Sequence, residues 1–258
     1  MKNILLKAAE EGGKIIKNYF EKDFKISSKD IVSNLVTQVD KESEAKIIEI
    51  IKNEFPEHSI LSEEIGSIES SSNVKWIIDP IDGTINFAHS IPLCCVSIGV
   101  EKDNEIVMGV VYNPLSGELF FSEKGNGAFL NDRPIQVSNE KNILKSLLVT
   151  GFPYNTSKNP NKPVEVFAEF VLMDIPVRRL GSAALDICWT ACGRFDAFWE
   201  YNLNPWDVAA GYLILKEAGG IVTDFDGNEF SVYQKEILAS NGKIHSAMLE
   251  IIQDVKKK

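Results

Sequence analysis

Two aspartates that follow a short apolar stretch are the residues of this sequence best suited to chemistry. Asp79 and Asp82 lie three positions apart, beyond the predicted strand Trp76–Ile78, and Pro80 and Gly83 interrupt the apolar pattern there. Carboxylates are costly to bury unless hydrogen bonds in a tight turn or divalent cations compensate their charge. Asp-Pro and Asp-Gly pairs are also common in plain turns. These residues alone therefore leave both a turn and a cation site open.

Acidic residues stand at the ends of two further predicted elements. Glu63 and Glu64 follow the short apolar run Ser59–Ser62, and neighbouring side chains at a strand end point to opposite sides. One of the two can therefore face a site while the other faces solvent. Asp207 lies in the first turn of a helix that begins after Asn204. Carboxylate oxygens suit magnesium, manganese and calcium, whereas no Cys and His spacing here suits zinc, so the acidic residues favour a hard-cation site.

These segments together resemble the inositol monophosphatase family of magnesium-dependent, lithium-sensitive phosphatases. The resemblance rests on Glu63-Glu64, on Asp79–Thr84 and on Trp206–Gly211, which occur in the family's order, and it covers the chain from about Lys29 to Gly220. It implies an α/β fold, a layered α-β-α-β-α sandwich with the metal site between two halves. The segments most similar to the bacterial branch are Gly151–Pro153, Arg178–Ala184 and Asn204–Asp207.

The resemblance implies a site for two Mg²⁺ ions, which Mn²⁺ can replace. Glu63, Asp79 and the backbone carbonyl of Ile81 are expected to hold the first ion. Asp79, Asp82 and Asp207 are expected to hold the second. A third, weaker ion would use Glu63 and water.

The same resemblance implies the catalytic and substrate-binding residues. The Thr84 hydroxyl, together with Glu63 or Glu64, is expected to orient the attacking water. Gly83 and Thr84 can present backbone N–H groups to phosphate oxygens. Glu200 matches the acid that contacts the inositol hydroxyls. The residues expected to contact substrate are Gly83, Thr84, Gly181, Ser182, Ala183, Glu200 and Asp207.

Several residues keep two interpretations. Asp40 can cap the second helix, or it can lie near the metal cluster, as the matching residue does in the family. Lys29 lies in a loop that can close over the site in the family. Gly181–Ala183 also suits close helix packing. Arg178 and Arg179 can face a second phosphate, a dimer partner or solvent.

The expected activity is hydrolysis of inositol 1-phosphate to inositol and phosphate. Asn204 stands where animal members of the family have a histidine, so fructose 1,6-bisphosphate or another small phosphate ester remains an alternative. A further alternative is a partner in bacterial transcription complexes with secondary phosphatase activity. The family also suggests a homodimer.

Composition limits the classes of function. The chain has 258 residues, and its formal charge of −10 (27 basic against 37 acidic residues) argues against a general nucleic-acid binder. It has no apolar run of membrane-spanning length, no signal-peptide pattern and four cysteines without metal-site spacing. These features predict a reduced, cytoplasmic protein whose cysteines are buried as small apolar residues.

The periodicity of apolar residues predicts the elements that position these side chains. A helix is expected over Ile4–Phe20, then an exposed charged loop over 21–33, then a helix that ends before Pro56. Strands dominate from Leu93 to Val137, and strands and helices mix beyond it. We expect an N-terminal half over residues 1–140 with most of the metal ligands. The C-terminal half, residues 141–258, would contain Asp207 and the substrate contacts.

Overall fold

The computed structural model of the chain describes residues 1–22, 24–28, 35–153 and 156–257. Seven α-helices form within this part of the chain. They are α1 (Lys2–Tyr19), α2 (Gln38–Glu54), α3 (Thr84–Ala88), α4 (Pro163–Leu172), α5 (Ala183–Ala191), α6 (Pro205–Glu217) and α7 (His245–Lys257). None of these described helices combines the length and the apolar character needed to cross a membrane.

The largest sheet has eight strands, in the order β10-β9-β8-β7-β6-β5-β3-β4. Its strands are β3 (Ser59–Ser62), β4 (Gly66–Ile68), β5 (Val74–Asp82), β6 (Cys95–Lys102), β7 (Glu105–Asn113), β8 (Glu118–Glu123), β9 (Ala128–Leu130) and β10 (Arg133–Ile135). The central strand β5 runs parallel to β3 and antiparallel to β6. The second sheet, in the order β12-β11-β13-β15-β14, contains β11 (Leu148–Thr150), β12 (Val177–Arg178), β13 (Ala197–Tyr201), β14 (Ile221–Thr223) and β15 (Glu236–Ser240).

The two sheets and six of the helices form five layers. Helices α1 and α2 cover one face of the eight-stranded sheet with a core that includes Leu5, Ile47 and Ile78. Helices α5 and α6 lie between the two sheets. Helices α4 and α7 cover the outer face of the five-stranded sheet. The expected α-β-α-β-α sandwich is therefore confirmed, while the division into halves at residue 140 stays a proposal.

The main difference from the expected elements lies at the end of β5. The strand continues through both aspartates to Asp82, and its register against β6 shifts between Asp79 and Asp82. Pro80 lies inside this shift. A proline has no N–H for the ladder, so an irregularity is where a sheet tolerates it. The acids thus belong to a distorted strand end and not to a separate turn.

One other local prediction was wrong. The region predicted as a loop contains a strand, β1 (Ile26–Ser28), which pairs with β2 (Leu35–Thr37). The expected capping role of Asp40 is confirmed: Thr37 is the N-cap of α2, and the Asp40 side chain, at the third helical position, accepts the backbone N–H of Thr37 at 2.8 Å. The spacing Thr37-x-x-Asp40 is a capping-box pattern, so the sequence contained this signal.

Close contact between α6 and the large sheet depends on a glycine. A Cβ atom at Gly109 in β7 would lie 2.8 Å from the carbonyl oxygen of Ala210 and 2.9 Å from its Cα. The backbone of a packed helix cannot move aside to relieve such a short contact, as a flexible side chain could. Since α6 contains Asp207, Gly109 also sets how near that carboxylate comes to β5.

We expect Gly109→Ala to lower the free energy of unfolding by about 1–3 kcal/mol, because the added methyl group overpacks a helix–sheet contact. Urea denaturation measures the change. Lys102→Ala, at the exposed end of β6, is the control and should change the value by less than about 0.5 kcal/mol. A Gly109→Ala protein as stable as the wild type would show that α6 can move away without cost.

Candidate active site

A cavity of about 350 Å³ lies where β5 ends, and residues of β13 and of the first turns of α3 and α6 also line it. Its walls include most of the side chains that the sequence singled out. These are Glu63, Asp79, Ile81, Asp82, Gly83, Thr84, Gly181, Ser182, Ala183, Glu200 and Asp207. The tertiary structure therefore brings acids from β5, from the β3–β4 turn, from β13 and from α6 to one place.

The end of β5 folds back on itself through main-chain and side-chain hydrogen bonds. Oδ1 of Asp79 accepts the N–H of Ile81 at 3.0 Å. Gly83 then adopts φ +92°, a left-handed conformation that favours glycine, and α3 starts immediately after it. Oγ1 of Thr84 lies 3.0 Å from the carbonyl oxygen of Ile81 and 3.2 Å from Oδ1 of Asp40, so it can donate its single proton to either.

Asp82 is anchored by the start of α5. Its Oδ2 accepts the Ser182 hydroxyl and the N–H of Ala184, both at 2.7 Å. Oγ of Ser182 also accepts the N–H of Leu185 at the start of that helix. The Gly-Ser-Ala segment thus begins a packed helix and also lines the cavity, and its contact with substrate stays a prediction.

Asp207 is held by the first turn of α6. Its Oδ2 accepts the N–H of Asn204, the N-cap residue, at 2.6 Å. Oδ1 of Asn204 accepts from Nζ of Lys235 at 2.9 Å. The Asp207 carboxylate is therefore fixed by a helix end, as its position in the sequence predicted.

Burial and mutual repulsion raise the proton affinity of the clustered acids. Asp79 is 2% exposed, and burial raises the pKa of its carboxyl well above the ordinary value, with the charges of Glu63, Asp82 and Asp207 adding to the effect. Burial raises the pKa of Asp82 to about 6, although its hydrogen bonds to Ser182 and Ala184 oppose the rise. Burial, and then the Asp82 charge, raise the pKa of Asp207 as well.

Glu200 shows the same effect on the far wall of the cavity. Burial, and then the charges of Asp207 and Asp82, raise the pKa of its carboxyl to about 8. The guanidinium of Arg179 lowers it, but less than burial raises it. At neutral pH the Glu200 side chain is therefore mostly protonated and able to donate a hydrogen bond.

The donor atoms fit hard divalent cations. Carboxylate oxygens and the Ile81 carbonyl are the ligands that magnesium and manganese prefer, and cations would remove the repulsion that raises these pKa values. Within the described residues, no three Asp, Glu, His or Cys side chains already surround one point as a metal site would. The hydrogen bonds that fix Asp82 and Asp207 each use Oδ2, so Oδ1 can turn towards an ion.

Two of the predicted residues lie elsewhere. Glu64 lines a separate surface groove along α2, so of the two adjacent glutamates only Glu63 faces the cavity. This placement argues against Glu64 as a residue that orients the attacking water. Asp40 is buried behind Thr84 and not in the cavity wall, where burial raises its pKa to about 6. Lys29 lies outside the described residues.

Sequence reasoning missed part of the cavity wall. Phe152, which was not among the expected site residues, is half-buried and lines the cavity against the ring of Phe167. Arg179, for which a second phosphate, a dimer partner and solvent were all open, is exposed and also lines the cavity. Asp186 in α5 is buried near Glu200, and its Oδ1 has no hydrogen-bond partner among the described residues. The sequence did not predict that Asp186 is buried, because a single acid among apolar residues of a helix usually marks the exposed face.

Comparison with known proteins identifies the family. The sequence profile of the inositol monophosphatase family matches residues 1–257. The chain belongs to this family. It is 47% identical over 228 residues to the "Inositol-1-monophosphatase" of Synechocystis sp., covering 88% of this chain and 79% of that protein. It is 42% identical over 261 residues to the "Nus factor SuhB" of Haemophilus influenzae, covering 98% and 96%.

A solved structure agrees with the sequence comparison. The extragenic suppressor protein suhB from Bartonella henselae superposes with a TM-score of 0.93 at 35% identity, covering 98% of each chain. This sequence identity and the shared fold agree with membership of the inositol monophosphatase family. Membership supports a phosphatase that depends on metal.

The metal-free protein should lose stability as the pH rises from about 4.5 to about 8. The folded state keeps a proton on Glu200 up to its raised pKa of about 8, whereas the unfolded chain releases it near 4.5. The stabilisation that this Glu200 proton gives the folded state is thus complete below the pKa of the unfolded chain. It disappears as the pH rises through the pKa of the folded state. Urea denaturation in EDTA at several pH values measures this slope.

Glu200→Gln should make that slope shallower, because the amide has no proton to lose. Glu54→Gln, at an exposed position at the end of α2, is the control and should leave it unchanged. An identical slope in the wild type and in Glu200→Gln would contradict the proton on Glu200.

Proposed function

We propose that this protein is a Mg²⁺-dependent phosphomonoesterase that hydrolyses inositol 1-phosphate to inositol and phosphate. The observation that carries the proposal is the convergence of Glu63, Asp79, Asp82 and Asp207 on one cavity. A family-wide phosphatase activity and the all-oxygen donor set support it. Membership of the family does not by itself identify the substrate or the metal.

The residues that would hold the ions are those predicted from the sequence: Glu63, Asp79, the Ile81 carbonyl, Asp82 and Asp207. Magnesium at these positions would supply positive charge to the phosphate and make a water molecule more acidic. The protein's own contribution is to keep the acids in place, through the Ile81 N–H on Asp79, the Ser182 hydroxyl on Asp82 and the Asn204 N–H on Asp207.

Thr84 is placed to orient the attacking water. When its hydroxyl donates to Oδ1 of Asp40, the lone pairs of Oγ1 point away from that bond and can accept a hydrogen bond from water in the cavity. Asp40 is in turn fixed by the Thr37 hydroxyl at 2.5 Å and the Thr37 N–H. With a pKa of about 6, Asp40 is mostly ionised at pH 7–8 and acts as the acceptor that this arrangement needs.

The far wall of the cavity is suited to an alcohol. Protonated Glu200 can donate to a hydroxyl oxygen, and Asn202 and Asn204 add amide groups close by. Arg179 adds a positive charge at the same cavity. A polyol with several hydroxyls fits this wall, and Arg179 keeps a bisphosphate, such as fructose 1,6-bisphosphate, as the alternative substrate.

Phosphate release tests the proposal. We expect EDTA-treated protein to be inactive, Mg²⁺ to restore hydrolysis of inositol 1-phosphate, and lithium to inhibit it. Asp82→Asn and Asp207→Asn should each lower kcat by orders of magnitude, because each substitution removes one charged metal ligand. In EDTA, urea denaturation should show no loss of stability for either variant, because each substitution relieves repulsion among the clustered carboxylates. Glu54→Gln is the matched control.

A substrate panel separates the chemistry from the substrate. Inositol 1-phosphate, fructose 1,6-bisphosphate and other small phosphate esters are compared by kcat/KM. If inositol 1-phosphate is the poorest of them, the substrate is wrong although the chemistry remains. Full activity after exhaustive EDTA treatment would rule out the metal-dependent mechanism itself.

We further propose a second role as a protein partner in a transcription complex, in addition to hydrolysis. The relative named Nus factor SuhB, which matches almost the whole chain, supports this proposal. A homodimer and a cytoplasmic location stay predictions from the sequence.

Affinity capture with transcription-complex proteins tests the second role. We expect Asp82→Asn to capture the same partners as the wild type, because the substitution lies inside the cavity and leaves the surface unchanged. Quantitative mass spectrometry of the captured proteins measures this, with an unrelated acidic protein as the control bait. Absence of transcription proteins above that control would contradict the role and leave the phosphatase proposal unaffected.

A further inference from the structure

Helix α2 presents three buried polar side chains on one face. Asp40, Ser43 and Glu44 stand at positions i, i+3 and i+4, which lie next to each other on a helix. All three are at most 2% exposed. Polar groups buried on a helix that otherwise packs isoleucines against a sheet need specific partners.

Each of the three side chains bonds to a different segment of the cavity. Asp40 accepts from Thr84 at the start of α3, as described above. The Ser43 hydroxyl donates to the carbonyl oxygen of Pro80, between Asp79 and Asp82, at 3.2 Å. Glu44 contacts the β3–β4 turn, which contains Glu63. One helix face therefore touches the two segments that supply acids, the end of β5 and the β3–β4 turn, and also the start of α3.

The contacts of Glu44 are the most extensive. Its Oε1 accepts the Ser62 hydroxyl, the N–H of Glu64 at 3.0 Å and the N–H of Ile65 at 3.3 Å. Three donors compensate the buried charge, and no ion pair with Glu44 occurs among the described residues. A carboxylate accepts such bonds more strongly than a neutral oxygen does.

These bonds fix the backbone of Glu63 on both sides. Its own N–H donates to the carbonyl oxygen of Ile78 in β5 at 3.3 Å. The residue before it and the two residues after it all bond to Glu44. The Glu63 side chain therefore leaves a turn that cannot shift without breaking bonds to α2.

We propose that Glu44 is a positioning residue that holds Glu63 where it can bind the cation. The inference rests on the proposed function, in which Glu63 is a metal ligand. Ser43 reinforces the effect, because it ties the Asp79–Asp82 segment to the same helix face. Helix α2 thus sets the distance between the Glu63 carboxylate and the Asp79 carboxylate.

Manganese binding to EDTA-treated protein tests this inference without measuring activity. We expect Glu44→Ala to weaken the tightest Mn²⁺ site about 10–100-fold in isothermal titration calorimetry, as is usual for residues that support a metal ligand. Glu44→Gln keeps a carbonyl oxygen at the Oε1 position and should retain most of the affinity. Glu49→Gln, at an exposed position of the same helix, should bind as the wild type does.

A double-mutant cycle separates positioning from general destabilisation. If Glu44 acts through Glu63, Glu44→Ala combined with Glu63→Gln should bind Mn²⁺ no more weakly than Glu63→Gln alone. Additive losses would overturn the inference. In the metal-free protein, Glu44→Ala should also speed amide hydrogen exchange at Glu64 and Ile65, whereas Glu44→Gln should not.

The outcomes distinguish this inference from the proposed function. If Glu63→Gln binds Mn²⁺ as tightly as the wild type, the ligand assignment of the proposed function is wrong. If Glu63→Gln weakens binding and Glu44→Ala does not, only the role of Glu44 is wrong. If urea titrations show that Glu44→Ala does not fold, Ser62→Ala is used instead, because it removes one hydrogen-bond donor to Glu44. Ser62→Ala should weaken Mn²⁺ binding to a smaller degree. Unchanged Mn²⁺ binding in Ser62→Ala would overturn the inference.

Discussion

Repulsion among buried carboxylates is the constraint on which the rest of this structure depends. Asp79, Asp82 and Asp207 share one cavity, and burial raises the pKa of each of them. A fold gains nothing by collecting acids in this way unless a cation or a proton compensates them. The protein therefore retains an arrangement that costs stability without metal, and every element around the cavity helps to hold it together.

The ends of strands and helices hold the clustered acids in place. Each acid is tied by backbone N–H or hydroxyl donors to the end of a strand or helix: Asp82 to the start of α5 and Asp207 to the start of α6. These helices lie between the two sheets, and Gly109 lets α6 approach β7 closely. On the other side of the large sheet, α2 holds the segments of Glu63 and Thr84. The geometry of the site is thus a consequence of how helices pack on the sheets.

The two sides of the cavity differ in kind. The side formed by β5 and the β3–β4 turn contains the acids suited to cations and to phosphate chemistry. The opposite side contains Glu200, Arg179 and two asparagines, which suit recognition of an alcohol. Family membership supports mainly the proposed chemistry of the first side. The proposed choice of substrate rests on the second side, where Glu200 and Arg179 line the cavity.

The sequence by itself determined the residue types, the local spacing of the acids, the helix that contains Asp207, the helix that follows Gly181 and Ser182, and, through family resemblance, the layered fold. Such signals are local, because strand, turn and cap patterns extend over a few residues. Only the tertiary structure decided that Glu63 faces the cavity and Glu64 does not, that Asp40 lies behind Thr84, and that Phe152 lines the cavity. It also revealed that Glu44 and Asp186 are buried and that Glu44 bonds to the β3–β4 turn, since packing, and not sequence spacing, determines which polar groups are buried and which of them meet.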